Sequence, residues 1–265
     1  MALDFTVSVA DRVDHGSNAS LVDLNPCTFM EWVNPQAFIS ANVVGFTKAS
    51  SSVRSLRYYL TSGDLEGFIG RASTNSQYRT NSGGLTLNTW NFLAWTFDLG
   101  AGAGEVQNIY VGDLNTLAVE TGYVTATDGS GALTTDAGGP FLLANRSTLT
   151  KAGDCKIAVA TYCNVALTLA QIRAWQFRPR KLTSSVLYCH YGFNGTGVQP
   201  DLSGNGNNGV VTNATVADHV PLGPPFGFDP EWQGAFSVTA ANVVRLRGRW
   251  GVQSGRAGTL RNRSR

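Results

Sequence analysis

The chain has 265 residues, of which 43% are hydrophobic and 14% are charged, and its formal net charge is +2. This length suffices to bury a large core without disulfides or bound metal, and no apolar run approaches the roughly 20 residues that a membrane-spanning helix needs. The 30 glycines, together with many Asn, Thr and aromatic residues, are typical of a protein built from strands and turns.

Ten segments have the composition of strands, and turn signals separate them at the spacing of a β-sandwich. The segment 113–139 is polar and is predicted to hold weak strands and a long loop. The predicted strands are 3–9 with 13, 27–33, 43–48, 56–60, 65–69, 85–98, 106–111, 141–144, 156–163 and 186–193.

The segment Leu85–Asp98, LTLNTWNFLAWTFD, is predicted to be the central strand. At a period of two, Leu93, Trp95 and Phe97 point one way, whereas Trp90, Phe92 and Ala94 point the other. Because both faces are apolar, we expect this strand to be covered on both sides.

One short helix is predicted near residue 170. Thr168 and Gln171 have the spacing of a capping box, and Leu169, Ile172 and Trp175 follow at helical spacing. We expect a helix of about two turns at the edge of the sandwich.

Two features indicate the cellular compartment. The first residues, MALDFTVSVADRVD, contain neither the basic nor the apolar segment of a secretory signal, so we expect synthesis in a cytosol without export. The cysteines fit no metal-binding spacing, and we expect buried free thiols, with a disulfide as the minor alternative. They are Cys27, Cys155, Cys163 and Cys189.

Six motifs occur in order over about 220 residues: ALDF, EWVNP, LTLNTWNFLAWTFD, IYVGD, ALTLAQIRAW and DLSGNGNNG. In this respect the chain resembles the laminin-G-like, concanavalin A-like lectin/glucanase superfamily, in its bacterial and phage branch. The resemblance implies an all-β jelly-roll sandwich of two antiparallel sheets over residues 1–226. In many relatives the last motif precedes the first, so the chain resembles a permuted form of the fold.

The resemblance also raises the question of catalysis. Glucanases of this superfamily carry Glu-x-Asp-x-x-Glu on one strand, which places the carboxylates on one face as a retaining glycosidase requires. This chain lacks the motif, its glutamates are isolated in sequence, and its three histidines are far apart in sequence. We therefore expect a protein that is not an enzyme.

Relatives often hold calcium, and Asp201, Asn205 and Asn207 in DLSGNGNNG could supply the oxygen ligands that Ca²⁺ takes. The alternative is that the Asn-Gly pairs of this motif are turn residues. Calcium is thus the one cofactor that the sequence suggests, and it is not required.

A glycan site would need exposed aromatic rings beside polar groups. The candidates lie in or near predicted loops and sheet faces, and each is equally compatible with a place in the core. They are Tyr58, Tyr59, Tyr78 and Tyr123.

The C-terminal segment 227–265, which we call the arm, differs from the rest. Seven of the 20 basic residues lie at or after Arg245 with no acid among them, so the first 244 residues carry 13 basic and 18 acidic side chains. Within VVRLRGRWGV the predicted apolar face holds Val244, Leu246, Trp250 and Val252, and the basic face holds Arg245, Arg247 and Arg249. We expect docking on a neighbouring subunit by strand addition, with nucleic-acid binding or folding back as alternatives.

These features favour a structural or adhesive protein of a bacteriophage virion, either a capsid decoration or a tail component. Its expected partners are neighbouring virion subunits or further copies of itself, and a cell-surface glycan. A free carbohydrate-binding module is the second hypothesis, and a divergent glycoside hydrolase is the third.

Overall fold

In a computed structural model of the chain, the structure describes residues 1–6, 10–39, 42–50, 52–58, 63–81, 84–100 and 106–222. These ranges contain sixteen strands and one α-helix, together with a 3₁₀ turn at Ala19–Leu21. The elements are β1 Ala2–Phe5, β2 Arg12–Asp14, β3 Cys27–Pro35, β4 Phe46–Lys48, β5 Arg54–Tyr58, β6 Leu65–Ile69, β7 Ser76–Thr80, β8 Asn91–Asp98, β9 Val106–Asp113, β10 Val119–Glu120, β11 Tyr123–Thr127, β12 Phe141–Leu143, β13 Cys155–Cys163, α1 Leu169–Phe177, β14 Ser185–His190, β15 Val210–Thr212 and β16 Thr215–Ala217.

The strands form two sheets. Sheet A has the order β10-β9-β8-β3-β13-β1-β16, and β14 also pairs with β13. Sheet B has the order β11-β7-β6-β5-β4-β12-β2-β15. The paired strands run antiparallel, as in β8 against β3 and β9. This architecture confirms the predicted all-β jelly-roll sandwich.

The central strand β8 has the two buried faces that the sequence predicts. Leu93, Trp95 and Phe97 lie in the main core. Phe92 and Ala94 point the other way, into a second cluster on the outer face of sheet A. The strand begins later than predicted because the Asn91 side chain bonds back to Thr86 and ends the preceding turn there.

Helix α1 begins as predicted but packs elsewhere. The Thr168 hydroxyl accepts from the Gln171 N–H at 3.4 Å, and the Gln171 side chain accepts from the Thr168 N–H at 2.9 Å, so the capping box is confirmed. The helix covers the outer face of sheet A and not the edge of the sandwich, because Trp32 and the rest of that apolar face require cover. Trp175 packs into the same cluster as Trp32, and Trp32 Nε1 donates to the Gln176 carbonyl at 2.7 Å.

Residues Met1–Leu222 form one compact unit. The first and last strands of this unit, β1 and β16, pair with each other, with Leu3 opposite Val216. The predicted domain boundary at residue 226 and the arm lie outside the described residues.

All four cysteines are buried and free, as predicted. Within the described ranges, no helix has the length and apolar composition needed to cross a membrane.

Candidate functional site

A groove of about 440 Å³ opens at the edge of sheet B where β2 pairs with β15. Asp14 lies opposite Val210, and Arg12 lies opposite Thr212, whereas Val13 between them points into the core. Both polar side chains of β2 therefore stand on the outer face of the sheet. The groove is lined by Arg12, Asp14, His15, Gly16, Asn18, Gly206, Asn208, Val210 and Thr212.

Backbone contacts hold the charged side chains of the groove in place. The Asp14 carboxylate accepts from the Gly16 N–H at 2.8 Å, and Arg12 Nη1 donates to the Ala10 carbonyl at 2.9 Å. On the opposite wall, the Asn208 side chain accepts from the Asp201 N–H at 2.9 Å. A carboxylate, a guanidinium and side-chain amides together offer the acceptors and donors that sugar hydroxyl groups require.

The loop of the DLSGNGNNG motif forms one wall of the groove, and Asp201 organises it. Asp201 Oδ1 accepts from the Tyr188 N–H at 3.1 Å and the Ser203 N–H at 2.8 Å. Its Oδ2 accepts from the Ser203 hydroxyl at 2.8 Å and the Asn207 N–H at 2.9 Å. The loop is therefore fixed by its own hydrogen bonds.

This geometry does not fit a calcium ligand set, because the Asp201 oxygens face four hydrogen-bond donors. The side-chain nitrogen of Asn205 donates to the Val186 carbonyl at 3.2 Å, and the side-chain oxygen of Asn207 accepts from Asn18 at 2.8 Å. Across the described ranges, no three His, Cys, Asp or Glu side chains are grouped as a metal site would require. Calcium at Asp201, Asn205 and Asn207 remains a prediction of the sequence without support from these contacts.

His15 lies at the base of the groove and is not among the site residues predicted from the sequence. Its Nδ1 is 2.7 Å from the Asn207 carbonyl oxygen, and its Nε2 is 3.0 Å from the Tyr191 hydroxyl. The carbonyl can only accept, so Nδ1 carries the proton and Nε2 accepts from Tyr191. Burial lowers the pKa of His15 to about 4. A neutral His15 therefore ties β2 to the Asp201 loop.

The structure pairs two of the tyrosines that the sequence proposed for glycan stacking. The Tyr78 and Tyr123 rings meet edge to face with centroids 5.3 Å apart. Tyr123 packs against the core and accepts from the Ile109 N–H at 2.8 Å, and burial raises its pKa. Neither tyrosine lines the groove at β2 and β15. Tyr59 and the side chain of Tyr58 lie outside the described residues, and stacking by any of the four stays a prediction.

A second groove, of about 530 Å³, lies beside the start of α1. Its walls contain amide and hydroxyl groups but no ionisable side chain, so it lacks the mixed chemistry of the first groove. Its lining residues are Asn164, Val165, Leu167, Gln171, Leu182, Thr183 and Ser184.

Three glutamates on described strands have separate environments. Glu31 is fully buried in sheet A, Glu66 forms ion pairs on sheet B, and Glu120 accepts from the Tyr123 hydroxyl at 3.2 Å. Glu105 and Glu231 lie outside the described residues. Two of the three histidines are closer than their sequence spacing implies, since the His190 and His219 rings stack with centroids 6.1 Å apart.

The arm residues proposed for assembly all lie outside the described residues, so their role stays a prediction. They are Val244, Leu246, Trp250 and Val252 on the apolar face, and Arg245, Arg247 and Arg249 on the basic face.

Comparison with known proteins gives a local sequence match and a match of fold. No family model matches the chain. Over 80 residues, which are 30% of this chain, it is 29% identical to a protein named "Probable tail spike protein" of Klebsiella phage 0507-KN2-1. The match covers 6% of that phage protein, so the chain spans only a small part of its length.

Among solved structures, the chain is similar to a "putative carbohydrate binding protein" from Bacteroides ovatus ATCC 8483, with a TM-score of 0.59 and 19% identity. The match covers 82% of this chain and 59% of the other. A heptameric pentraxin from Limulus polyphemus matches with a TM-score of 0.44 and 13% identity over 66% of this chain and 81% of the other. The similarity to the Bacteroides ovatus structure is one of fold, and it agrees with the two-sheet β-sandwich described above.

Proposed function

We propose that the chain is a glycan-binding component of a phage virion, part of the tail, and that it belongs to the laminin-G-like, concanavalin A-like superfamily. The observation that carries the proposal is the groove at β2 and β15, where Arg12, Asp14 and Asn208 converge above a rigid loop. The local similarity to a phage protein named as a tail spike supports the virion location. The ligand is a glycan of the host cell surface.

The proposed role is binding without catalysis. A retaining glycosidase needs two carboxyl groups about 5 Å apart across the scissile bond. Glu31 faces the core and Glu66 is bound by two arginines, so neither provides such a pair. Incubation of the protein with a surface polysaccharide that it binds should therefore release no new reducing ends.

The proposal is tested on a glycan array with the full-length protein. A double variant, Arg12→Ala with Asp14→Ala, should lose binding to every glycan that the parent protein binds. The control is Thr183→Ala in the groove beside α1, which should bind like the parent protein. Loss of binding in the Thr183 variant alone would move the site to that groove, and a parent protein that binds no glycan would overturn the proposal.

The proposed role includes anchoring by the arm. We propose that residues 227–265 anchor the sandwich to neighbouring virion subunits or to a second copy by strand addition. The alternation of apolar residues and arginines in 244–252 supports an extended segment with one face for protein contact.

A further inference from the structure

Four side chains share the outer face of β2 and β15 inside the groove. Asp14 lies opposite Val210, and Arg12 lies opposite Thr212. Directly paired side chains stand about 5 Å apart, and the two pairs are separated by about 7 Å along the strands. The area that they cover is that of a single sugar ring.

Gly209 brings the loop wall of the groove close to these four side chains. A Cβ atom at this position would lie 2.7 Å from His15 Cε1, so only glycine lets the segment before β15 lie directly against the residue that follows β2. Asn208, the next residue back along the chain, therefore stands beside the outer face of β2.

Two of the polar side chains have groups available to a ligand. Asp14 Oδ1 accepts from the Gly16 N–H at 2.8 Å, whereas Asp14 Oδ2 has no hydrogen-bond partner among the described residues. The Asn208 side-chain oxygen accepts from the Asp201 N–H at 2.9 Å, which leaves the amide nitrogen to donate. An acceptor near a donor suits two neighbouring hydroxyl groups, because one hydroxyl donates to the carboxylate and the other accepts from the amide.

Val210 supplies the apolar contact in the groove. It is 55% exposed, and the described residues that line the groove include no phenylalanine, tyrosine or tryptophan. An isopropyl group is too small to cover the face of a sugar ring, but it matches a methyl substituent in size. Contact with Val210 therefore favours a sugar that carries a methyl group.

The charges around the groove favour a neutral sugar. Arg12 and Asp14 carry opposite charges, and His15 is neutral because burial lowers its pKa to about 4. The Asp201 carboxylate adds a negative charge in the loop wall, where it accepts from backbone N–H groups. An anionic sugar would therefore meet two carboxylates and one guanidinium.

We propose that the groove binds a neutral sugar through two neighbouring hydroxyl groups and one methyl group. The hydroxyl groups bond to Asp14 and Asn208, and the methyl group contacts Val210. This inference rests on the proposed glycan-binding function and adds the chemical class of the ligand. A 6-deoxyhexose and an N-acetylhexosamine both carry this combination of groups, and they differ in where the methyl group stands.

The test compares polymer-linked sugars that differ in a methyl group. L-rhamnose and L-fucose are paired with L-mannose and L-galactose, which have an additional hydroxyl group at C6, and N-acetylglucosamine is paired with glucose. The full-length protein should bind the methyl-bearing member of at least one pair about fourfold more tightly or better. Preference within the first two pairs identifies a 6-deoxyhexose, and preference within the third identifies an N-acetylhexosamine.

Two variants separate the methyl contact from the hydroxyl contact. Val210→Thr keeps the branched shape but replaces a methyl by a hydroxyl group, so the affinity ratio within the preferred pair should fall close to one. Asp14→Asn keeps the acceptor for the Gly16 N–H and should weaken binding about tenfold, because a charge-assisted hydrogen bond is lost. The control is Val216→Thr, at an exposed valine on β16 outside the groove, which should bind like the parent protein.

Thermal unfolding confirms that each variant is folded. Equal affinities within every pair, a ratio that Val210→Thr leaves unchanged, or stronger binding by Asp14→Asn would overturn the inference. Tighter binding of polymer-linked glucuronic acid than of glucose would also overturn it. A parent protein that binds glycans on the array but none of these sugars overturns this inference alone, whereas a parent protein that binds no glycan at all overturns both proposals.

Discussion

His15, just after β2, bonds to the Asp201 loop and stays neutral in the folded protein. Its pKa is lowered to about 4 by burial, against about 6.5 in an unfolded chain. The folded protein therefore resists protonation, and its stability is complete above pH 6.5 and falls as the pH decreases toward 4.

For the whole of that interval the expected loss in the free energy of unfolding is about 3 kcal/mol. His15→Gln, which cannot titrate, should remove this part of the acid sensitivity. Urea unfolding at pH 7 and pH 4.5 measures the loss in the free energy of unfolding for the variant and for the parent protein. The comparison with the parent protein is needed because buried His190 also has a lowered pKa, about 3. A variant as acid-sensitive as the parent protein would refute the assignment.

Glu31 lowers the stability of the folded protein as the pH rises, whereas His15 lowers it as the pH falls. It lies on the core-facing side of β3 between Leu93 and Ala160, and neither of its oxygens has a hydrogen-bond partner in the described part of the chain. Burial raises its pKa well above the usual value. The folded state therefore holds a proton that the unfolded state releases, and stability falls as the pH rises above about 4.3.

Replacing Glu31 by leucine should stabilise the protein at pH 8 by about 1–3 kcal/mol, because an unpaired polar group leaves the core. Urea unfolding at pH 5 and pH 8 should also show a smaller decline for Glu31→Leu than for the parent protein. Destabilisation at pH 8 would mean that Glu31 has a stabilising partner.

At the scale of single elements, the start of α1 depends on one hydroxyl. Thr168→Ala removes the acceptor for the Gln171 N–H and should reduce the free energy of unfolding by about 1 kcal/mol. Thr183→Ala, an exposed threonine outside the helix, should change it little. Equal effects in chemical unfolding would show that the capping box does not stabilise the helix.

The elements that the sequence predicts are those with a strong local signal. Apolar residues on both faces identify β8, and the capping box identifies α1. By contrast, β7, β11 and β15 are only three to five residues long, and their pairing with neighbouring strands makes them strands. Local composition carries little of that information.

The candidate site was predictable only in part. The Asp201 loop is evident as a motif, yet the groove arises because β15 pairs with β2, which brings residues 206–212 beside residues 12–18. Likewise, Val210 is one apolar residue among many until its register with β2 places it beside Asp14. Long-range pairing of this kind leaves no local pattern in one sequence.

At the scale of the whole molecule, we expect the arm to control assembly. Arg245→Glu, Arg247→Glu and Arg249→Glu together should abolish self-association or incorporation into particles, because they reverse the charge of the basic face. Native mass measurement of the full-length protein in its particle checks this. The control is Arg178→Gln, which removes an exposed arginine beyond the end of α1. Unchanged assembly would contradict the anchoring role while leaving the glycan site untouched.

Glycan binding in the groove at β2 and β15 is tested most directly by hydrogen exchange of the full-length protein with and without purified host-surface polysaccharide. Bound polysaccharide should slow exchange at residues 12–18 and 206–212. No change in exchange anywhere, or slower exchange confined to α1 and the outer face of sheet A, would contradict it.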